Sequence, residues 1–179
     1  MKKFLMIVLA MALVLGLCAC GTDDTSAATD PTTATTGGDK NPPSTTPVGY
    51  LFTYNDYQFG VGMAVEAVLE KLGEPQTKIE SESCAFGGQD NVYYYNGILI
   101  STNDEDGYEK IYSIYLQDDM NATEKGICVG NTAEQVKSAY GEPSEASGET
   151  CLVYAKDGMY LKFILKDGKV SSIDYTVIA

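Results

Sequence analysis

The sequence predicts an α+β domain built as a tandem repeat. Each half is expected to be a short helix packed on an antiparallel β-meander, with both helices on one face of the sheet. Two observations carry this prediction. A fifteen-residue unit occurs twice, at Val61–Pro75 and Val129–Pro143, without a gap. After each copy, apolar and aromatic segments alternate with turn-forming residues, a pattern typical of antiparallel strands.

Residues 1–19 are predicted to be a lipoprotein signal peptide. Lys2 and Lys3 precede an apolar run that ends at Leu17, shortly before Cys20. A basic start, an apolar core and a small-residue exit are typical of a cleaved signal, and the run is too short for a comfortable membrane span. Cys20 would then be lipidated and hold the protein on the extracytoplasmic face of the cell membrane. A plain secretory signal or an uncleaved anchor is the alternative.

Residues 20–48, which begin with the lipidated cysteine, are predicted to be a disordered tether. Nine threonines and four prolines lie between Thr22 and Pro47, with almost no large apolar residue. Such a segment cannot bury enough surface to offset the entropy of ordering. Residues 49–179 form the predicted single folded domain, with repeats at about 49–120 and 121–179.

The first repeat should open with a hairpin over Tyr50–Phe59, turning at Asn55-Asp56. Its helix carries an apolar stripe at spacings i, i+3, i+4 and i+7. Gly73 suits the end of that helix, and Pro75 prevents its continuation. The stripe consists of Val65, Val68, Leu69 and Leu72.

Four strands are expected after this helix, and three after the second helix. In the second helix, Thr132 and Gln135 have the spacing of a capping box, which the first copy lacks. The first set of strands is Ser83–Phe86, Val92–Tyr95, Ile98–Thr102 and Lys110–Gln117. The second set is Thr150–Tyr154, Met159–Leu165 and Lys169–Val177.

Strand alternation predicts a candidate binding surface on the outward face of the sheet. Ile114 aligns with Ile173 between the repeats, so Tyr112 should share the core side and Tyr115 should face outward. Tyrosine supplies contact area at low entropic cost, which favours protein binding. Ordinary cross-strand pairing also favours aromatic residues and is the structural alternative. The predicted surface consists of Tyr115, Tyr160, Lys162 and Ile164.

The second copy carries a helix motif that also occurs in known families. Its positions are Gly130, Thr132, Val136, Tyr140, Gly141 and Pro143. The first copy keeps Gly62, Val68, Gly73 and Pro75. On these residues the chain, over roughly residues 55–177, resembles the tandem-repeat fold of β-lactamase inhibitory protein. It is also similar to the small lipoproteins of the outer-membrane assembly machinery and to extracellular lipoproteins of Firmicutes. The resemblance implies protein binding without catalysis, and no contact residue of those proteins can be carried over.

Composition excludes several kinds of site. The chain has no histidine, and its 12 basic residues are all lysine against 25 acidic residues, a formal net charge of −13. Histidine triads and histidine metal sites are therefore impossible, and nucleic-acid binding is disfavoured. No cofactor or metal site is predicted. A loose calcium site in the acidic loop 103–107 stays open, although a solvated loop is the simpler interpretation.

Three cysteines besides Cys20 are expected in the mature protein. Cys84 and Cys151 fall at similar positions in the two halves, so a disulfide between them is one hypothesis for an oxidising compartment. Small buried thiols are the alternative, and Cys128 has no assigned role.

We therefore expect a lipid-anchored extracytoplasmic module that binds an extracellular protein or an envelope polymer, does not bind nucleic acid and is not an enzyme. A scaffold for envelope assembly, without a discrete ligand, is the first alternative. A cell-wall hydrolase that uses two carboxylates is the second. The hydrolase requires a deep pocket with two facing acids, whereas the binder and the scaffold require only a shallow sheet surface.

Overall fold

The structure, a computed structural model, describes residues 44, 46–84, 87–104, 107–146 and 150–178. The predicted signal peptide, Cys20 and nearly all of the tether lie outside these residues. The described chain has a mixed α+β fold with two helices and a large antiparallel sheet. Neither helix has the length and apolar character needed to cross a bilayer, within the ranges described.

The elements follow each other in the predicted order of hairpin, helix, strands, helix, strands. The hairpin strands are β1 (Phe52–Tyr54) and β2 (Tyr57–Phe59). The first half continues with α1 (Val65–Leu72), β3 (Thr77–Glu82), β4 (Gln89–Tyr95), β5 (Ile98–Asn103) and β6 (Lys110–Leu116). The second half has α2 (Ala133–Tyr140), β7 (Glu145–Ala146), β8 (Cys151–Lys156), β9 (Met159–Lys166) and β10 (Lys169–Val177).

Eight strands form one sheet in the order β3-β4-β5-β6-β10-β9-β8-β7. All neighbours are antiparallel. The last strand of each half, β6 and β10, meet in the middle, where Leu116 lies opposite Ile173 and Ile114 opposite Tyr175. These four residues are almost fully buried. The centre of the sheet therefore joins the two halves through core residues.

One hydrophobic core runs through the described domain. It includes Phe52 and Phe59 of the hairpin and Val68 and Val136 of the helices, none of which has measurable exposure. The Phe52 ring lies 5.8 Å from that of Tyr175, between ring centroids. Hairpin, helices and sheet thus bury their apolar residues together, which offsets the small size of each element.

The helix ends confirm the signals in the sequence. Thr132 Oγ1 accepts a hydrogen bond from the Gln135 N–H (3.3 Å), and Gln135 Oε1 accepts one from the Thr132 N–H (2.8 Å). Ala64, at the equivalent position before α1, makes no side-chain cap. Gly73 and Gly141 end the helices with positive φ values of 78° and 85°, which glycine adopts without steric cost.

One predicted strand was wrong. Ser83 and Cys84 follow β3 and begin a turn in which the Ser83 N–H donates to the Gly88 carbonyl (3.0 Å), and residues 85 and 86 lie outside the described ranges. The real strand, Thr77–Glu82, is an edge strand whose six residues are all exposed. A strand with no buried face leaves no hydrophobic alternation in the sequence.

The predicted core position of Tyr112 was also wrong. In β6, Ile111 pairs with Thr102 and Ser113 pairs with Ser101, so Tyr112 is an extra residue in a β-bulge. A bulge changes which face the following residues occupy. Tyr112 is half-buried and lies near Asp90, on the side of the sheet away from the core.

Candidate functional site

The candidate site is the face of the large sheet opposite the hydrophobic core. We call it the outer face and define it by a row of residues paired across six strands. Along each strand these residues alternate with core residues such as Ile114, Ile173 and Leu161. The row runs Tyr94, Leu99, Tyr115, Asp174, Lys162 and Val153.

The four residues predicted for the binding surface all lie on this face and are half-buried. Tyr115 is on β6, whereas Tyr160, Lys162 and Ile164 are on β9, with β10 between them. Tyr115 and Lys162 both pair with Asp174, which places their backbones roughly 10 Å apart at about 4.8 Å per strand spacing. The sheet topology therefore brings Tyr115 close to the other three.

Asp174 is the residue of this face that the sequence analysis missed. Strand alternation from Ile173 gives the signal that places it outward, but a lone carboxylate in an acidic chain attracts no attention. Its Oδ1 accepts a hydrogen bond from Ser113 Oγ (2.7 Å). Burial raises the pKa of the Asp174 carboxyl, while the Ser113 hydrogen bond and the Lys162 charge act in the opposite direction. A half-buried carboxylate thus lies in the central row of the outer face.

Tyrosine rings and one lysine surround this carboxylate. Lys162 Nζ lies 5.6 Å from the ring centroid of Tyr160, within the range of a cation–π contact. Burial raises the pKa of the Tyr112 hydroxyl, and the nearby charges of Asp90 and Asp174 raise it further, whereas a hydrogen bond with Ser101 lowers it. The outer face therefore offers aromatic area beside two half-buried carboxylates, Asp174 and Asp90.

A second polar cluster, also missed by the sequence analysis, surrounds Glu109. Its Oε1 accepts hydrogen bonds from Asn91 Nδ2 (2.8 Å), the Tyr93 hydroxyl (2.8 Å) and Thr102 Oγ1. Asn91, Tyr93 and Thr102 are buried, and Asn91 Oδ1 has no hydrogen-bond partner. Burial, followed by the hydrogen bond to Glu109, raises the pKa of Tyr93. No periodic signal identifies such a cluster, because its members come from three separate segments: β4, β5 and the residue before β6.

The Glu109 cluster borders a half-open depression of about 360 Å³ beside the first turn of α1. Two carboxylates, Glu66 and Glu109, contribute to its wall, and Glu66 is exposed. Within the described residues, no group of three or more histidine, cysteine or acidic side chains is placed to hold a metal ion. The full lining is Ala64, Val65, Glu66, Leu69, Gly107, Tyr108 and Glu109.

The sheet order contradicts the hypothesis of a disulfide between Cys84 and Cys151. Cys84, Cys128 and Cys151 are free thiols. Cys84 lies beyond the end of edge strand β3 and Cys151 begins β8, six positions across the sheet. At about 4.8 Å per position the separation is roughly 29 Å, far beyond the Cα distance of a disulfide.

The acidic loop 103–107 is described only in part. Asp104 Oδ1 accepts a hydrogen bond from the Gln89 N–H (2.6 Å), and Asn103 Nδ2 donates to Asp90 Oδ1 (2.8 Å). Glu105 and Asp106 lie outside the described residues. Asp104 and Asn103 therefore hold the ends of β4 and β5 together.

No protein-family model matches the chain, and no curated protein matches it. Two solved structures are similar to it at low sequence identity. The uncharacterized protein yfeY from Escherichia coli has 18% identity and a TM-score of 0.41, covering 65% of this chain and 95% of that chain. YjgB, a DUF4309 family protein from Bacillus subtilis, has 15% identity and a TM-score of 0.42, covering 67% and 82%.

Proposed function

We propose that this protein is a lipid-anchored extracytoplasmic lipoprotein that binds another protein through its outer face, without catalysis. The anchor rests on the signal sequence and Cys20. The binding role rests on one observation above all. The outer face carries the half-buried residues Tyr94, Tyr112, Tyr115 and Tyr160, and a single carboxylate, Asp174, sits in its central row.

We further propose that the two halves are structural copies whose helices cover the same face of the sheet. Equivalent hydrogen bonds support this arrangement. The Tyr95 hydroxyl donates to the Gly73 carbonyl at the end of α1 (2.8 Å), and the Tyr154 hydroxyl donates to the Gly141 carbonyl at the end of α2 (2.9 Å). The strand order, read inward from either edge, is also the same. With both helices on the core side, the outer face is left open for a partner.

The copies differ at the Glu109 cluster. Taking Tyr95 and Tyr154 as equivalent, Tyr93 corresponds to Leu152. Strand pairing then matches Thr102, which lies opposite Ile111, with Leu165, which lies opposite Val170. Glu109 falls where the second half has Gly168. The polar cluster of the first half thus replaces apolar packing in the second.

The hydrolase alternative requires two facing carboxylates. Within the described residues, Glu66 and Glu109 line one half-open depression. Two further depressions carry only exposed carboxylates, namely Glu66, Glu70 and Glu74 in one and Glu134 and Asp167 in the other. Three side-chain donors already bind Glu109 Oε1, so this oxygen is committed to hydrogen bonds within the fold. Glu66 is exposed rather than enclosed. This arrangement favours a structural role for Glu109 over an acid–base pair.

The anchor is tested by replacing the proposed lipidated residue. Cys20→Ala should move the protein from the membrane fraction to the medium or soluble fraction and abolish labelling with a fatty-acid analogue. Cys18→Ala is the matched control and should leave both unchanged. Retention of the Cys20→Ala protein in the membrane with its label would contradict the lipid anchor.

The outer face is tested by crosslinking the full-length protein on intact cells and identifying captured proteins by mass spectrometry. We expect one specific partner, lost when Tyr115→Ala and Tyr160→Ala are combined. Tyr108→Ala, an exposed tyrosine beside the α1 depression, should leave capture unchanged. If capture survives the double substitution, the outer face is not the binding site. If many proteins are captured at low yield in every variant, the scaffold is favoured.

A further inference from the structure

We propose that Asp174 is the recognition point for an arginine side chain presented by the partner protein. This inference rests on the proposed function of the outer face and names the chemistry that the face selects. It assigns a role to a residue that no feature of the sequence had singled out.

The position of Asp174 suits a central anchor. It pairs with Tyr115 on one side and Lys162 on the other, in β10, which lies beside the middle of the eight-stranded sheet. Interface residues that dominate binding cluster near the centre of the contact, where the surrounding residues exclude water. A partner that covers the aromatic residues of the outer face would therefore enclose Asp174.

The Asp174 carboxylate has unused capacity to accept hydrogen bonds. Among the described residues it accepts one hydrogen bond, from Ser113 Oγ to Oδ1. A carboxylate offers about four acceptor positions on its two oxygens. A guanidinium forms two parallel hydrogen bonds with a carboxylate, and that geometry makes use of the capacity that remains.

The carboxylate also has no cation paired with it in the described part of the chain. Lys162 is its neighbour in register, but the two side chains form no ion pair, and the Lys162 ammonium lies over the Tyr160 ring. Burial already disfavours the charged form of Asp174. Lys162 acts on this charge only from a distance. A cation supplied by a partner would add a direct ion pair in a region that the partner shields from water, where such a pair is strongest.

The surrounding residues favour arginine over lysine. A guanidinium is planar, is weakly hydrated and stacks on aromatic rings, whereas an ammonium is a compact and strongly hydrated charge. Tyr115 is the register neighbour of Asp174, and Tyr112 is close enough for its hydroxyl to respond to the Asp174 charge. These two tyrosines provide aromatic surface beside the carboxylate.

The net charge of the chain indicates which class of molecule binds the outer face. A net charge of −13 repels anionic envelope polymers and attracts a basic protein, which accelerates the encounter. A second copy of this chain is repelled as well. It also contains no arginine, so it cannot supply the guanidinium. The occupant is therefore a different protein with a basic surface.

The chemistry is tested by nuclear magnetic resonance titration of the ¹⁵N-labelled folded domain with acetyl-arginine amide. Acetyl-citrulline amide serves as the uncharged isostere and acetyl-lysine amide as the alternative cation. We expect saturable shifts at the amides of Ser113, Tyr115 and Asp174 with the arginine probe. Asp174→Asn should weaken that binding by at least about 10-fold, since it removes the charge that strengthens both hydrogen bonds to the guanidinium. Asp157→Asn, the same charge change at the exposed β8–β9 turn, should not weaken it.

Any of the following results would overturn the inference. Equal shifts with citrulline or lysine would exclude selection of a guanidinium, and unchanged binding by Asp174→Asn would exclude this carboxylate. The absence of localised shifts in the wild-type protein would do the same.

Crosslinking on cells separates this inference from the proposed function. If it is correct, the captured partner contacts the outer face through a peptide that contains arginine, and capture is lost with Asp174→Asn but not with Asp157→Asn. A partner captured through the outer face that is indifferent to Asp174→Asn would leave the proposed function standing and reject the arginine contact. Loss of all specific capture by the outer face would reject both.

Discussion

Among the carboxylate residues of the described domain, Glu109 should contribute most to stability. Its Oε1 satisfies three side-chain donors, all on buried residues. Glu109→Ala should lower the free energy of unfolding by about 2 kcal/mol, because buried donors left without acceptors retain their desolvation cost. Urea denaturation measures the loss.

Two matched variants complete this experiment. Glu109→Gln keeps an acceptor oxygen and should lose less stability than the alanine variant. Glu70→Ala, on the exposed side of α1, should change stability by no more than about 0.5 kcal/mol. If Glu109→Ala behaves like Glu70→Ala, the cluster is not a structural one and the hydrolase alternative regains interest.

Asp174 should make the opposite contribution to stability. Its folded-state pKa is raised above the ordinary value of 3.8, chiefly by burial. Between the unfolded and folded pKa values the folded state binds more protons, so this residue lowers stability as the pH rises. Asp174→Asn should therefore be at least as stable as the wild type at pH 7, with a difference that shrinks below pH 3.8.

Urea denaturation of both proteins at neutral and acidic pH checks this sign. An asparagine variant that is less stable at pH 7, by an amount that shrinks in acid, would show that the Ser113 and Lys162 interactions with the ionised carboxylate outweigh burial. A surface residue that lowers the stability of the fold is typical of a functional position, because function and stability often make opposite demands.

At the scale of single elements, the two helices differ in how well they begin. Thr132→Ala removes one side of the capping box of α2 and should cost about 1 kcal/mol. Thr132→Ser, which keeps the hydroxyl, should cost little. Introducing the same capping box at the start of α1, with Ala64→Thr and Ala67→Gln, should stabilise the protein by about 0.5–1 kcal/mol, because Ala64 makes no cap.

Thermal and urea unfolding of these variants test the helix-start prediction. Equal stability of Thr132→Ala and Thr132→Ser would mean that the hydrogen bonds of the capping box contribute nothing beyond those made to water. If only the capping box introduced into α1 failed to stabilise the protein, the cause would lie in the surroundings of α1, where Ala67 is half-buried.

The sequence predicted correctly those strands that have strong local signals. β10 has the bounds Lys169–Val177 that the sequence predicted, because turn residues mark its start and apolar residues alternate along it. The turn residues Asp157 and Asp167 have the positive φ values of a tight hairpin turn. β3 and β7 were missed because an exposed edge strand and a two-residue strand carry no such pattern.

For the whole molecule, the sheet order makes each half depend on the other. Residues 49–120 expressed alone would expose Ile114 and Leu116, which the pairing with β10 helps to bury. We expect this fragment to be unfolded or to aggregate, whereas the complete domain should unfold in one cooperative transition. Circular dichroism and the dispersion of amide resonances measure both outcomes. A dispersed spectrum for the isolated fragment would show that one half is an autonomous unit.

The sequence by itself determined the elements that depend on local chemistry. Neighbouring residues set where helices begin and end, where tight turns form and how residues alternate along central strands. The roles of Thr132, Gly73 and Asp157 could therefore be predicted from the residues next to them. Strand alternation also predicted the outward side of Tyr115 and of the β9 residues, although it failed at Tyr112, where a bulge interrupts the period.

Only the tertiary structure decided which of these residues meet. Pairing of β6 with β10 places Tyr115, Asp174 and Lys162 in one row, and it separates Cys84 from Cys151. The Glu109 cluster likewise joins residues up to 18 positions apart in the chain. Strand order depends on how the whole chain buries its core, and no local pattern contains that information.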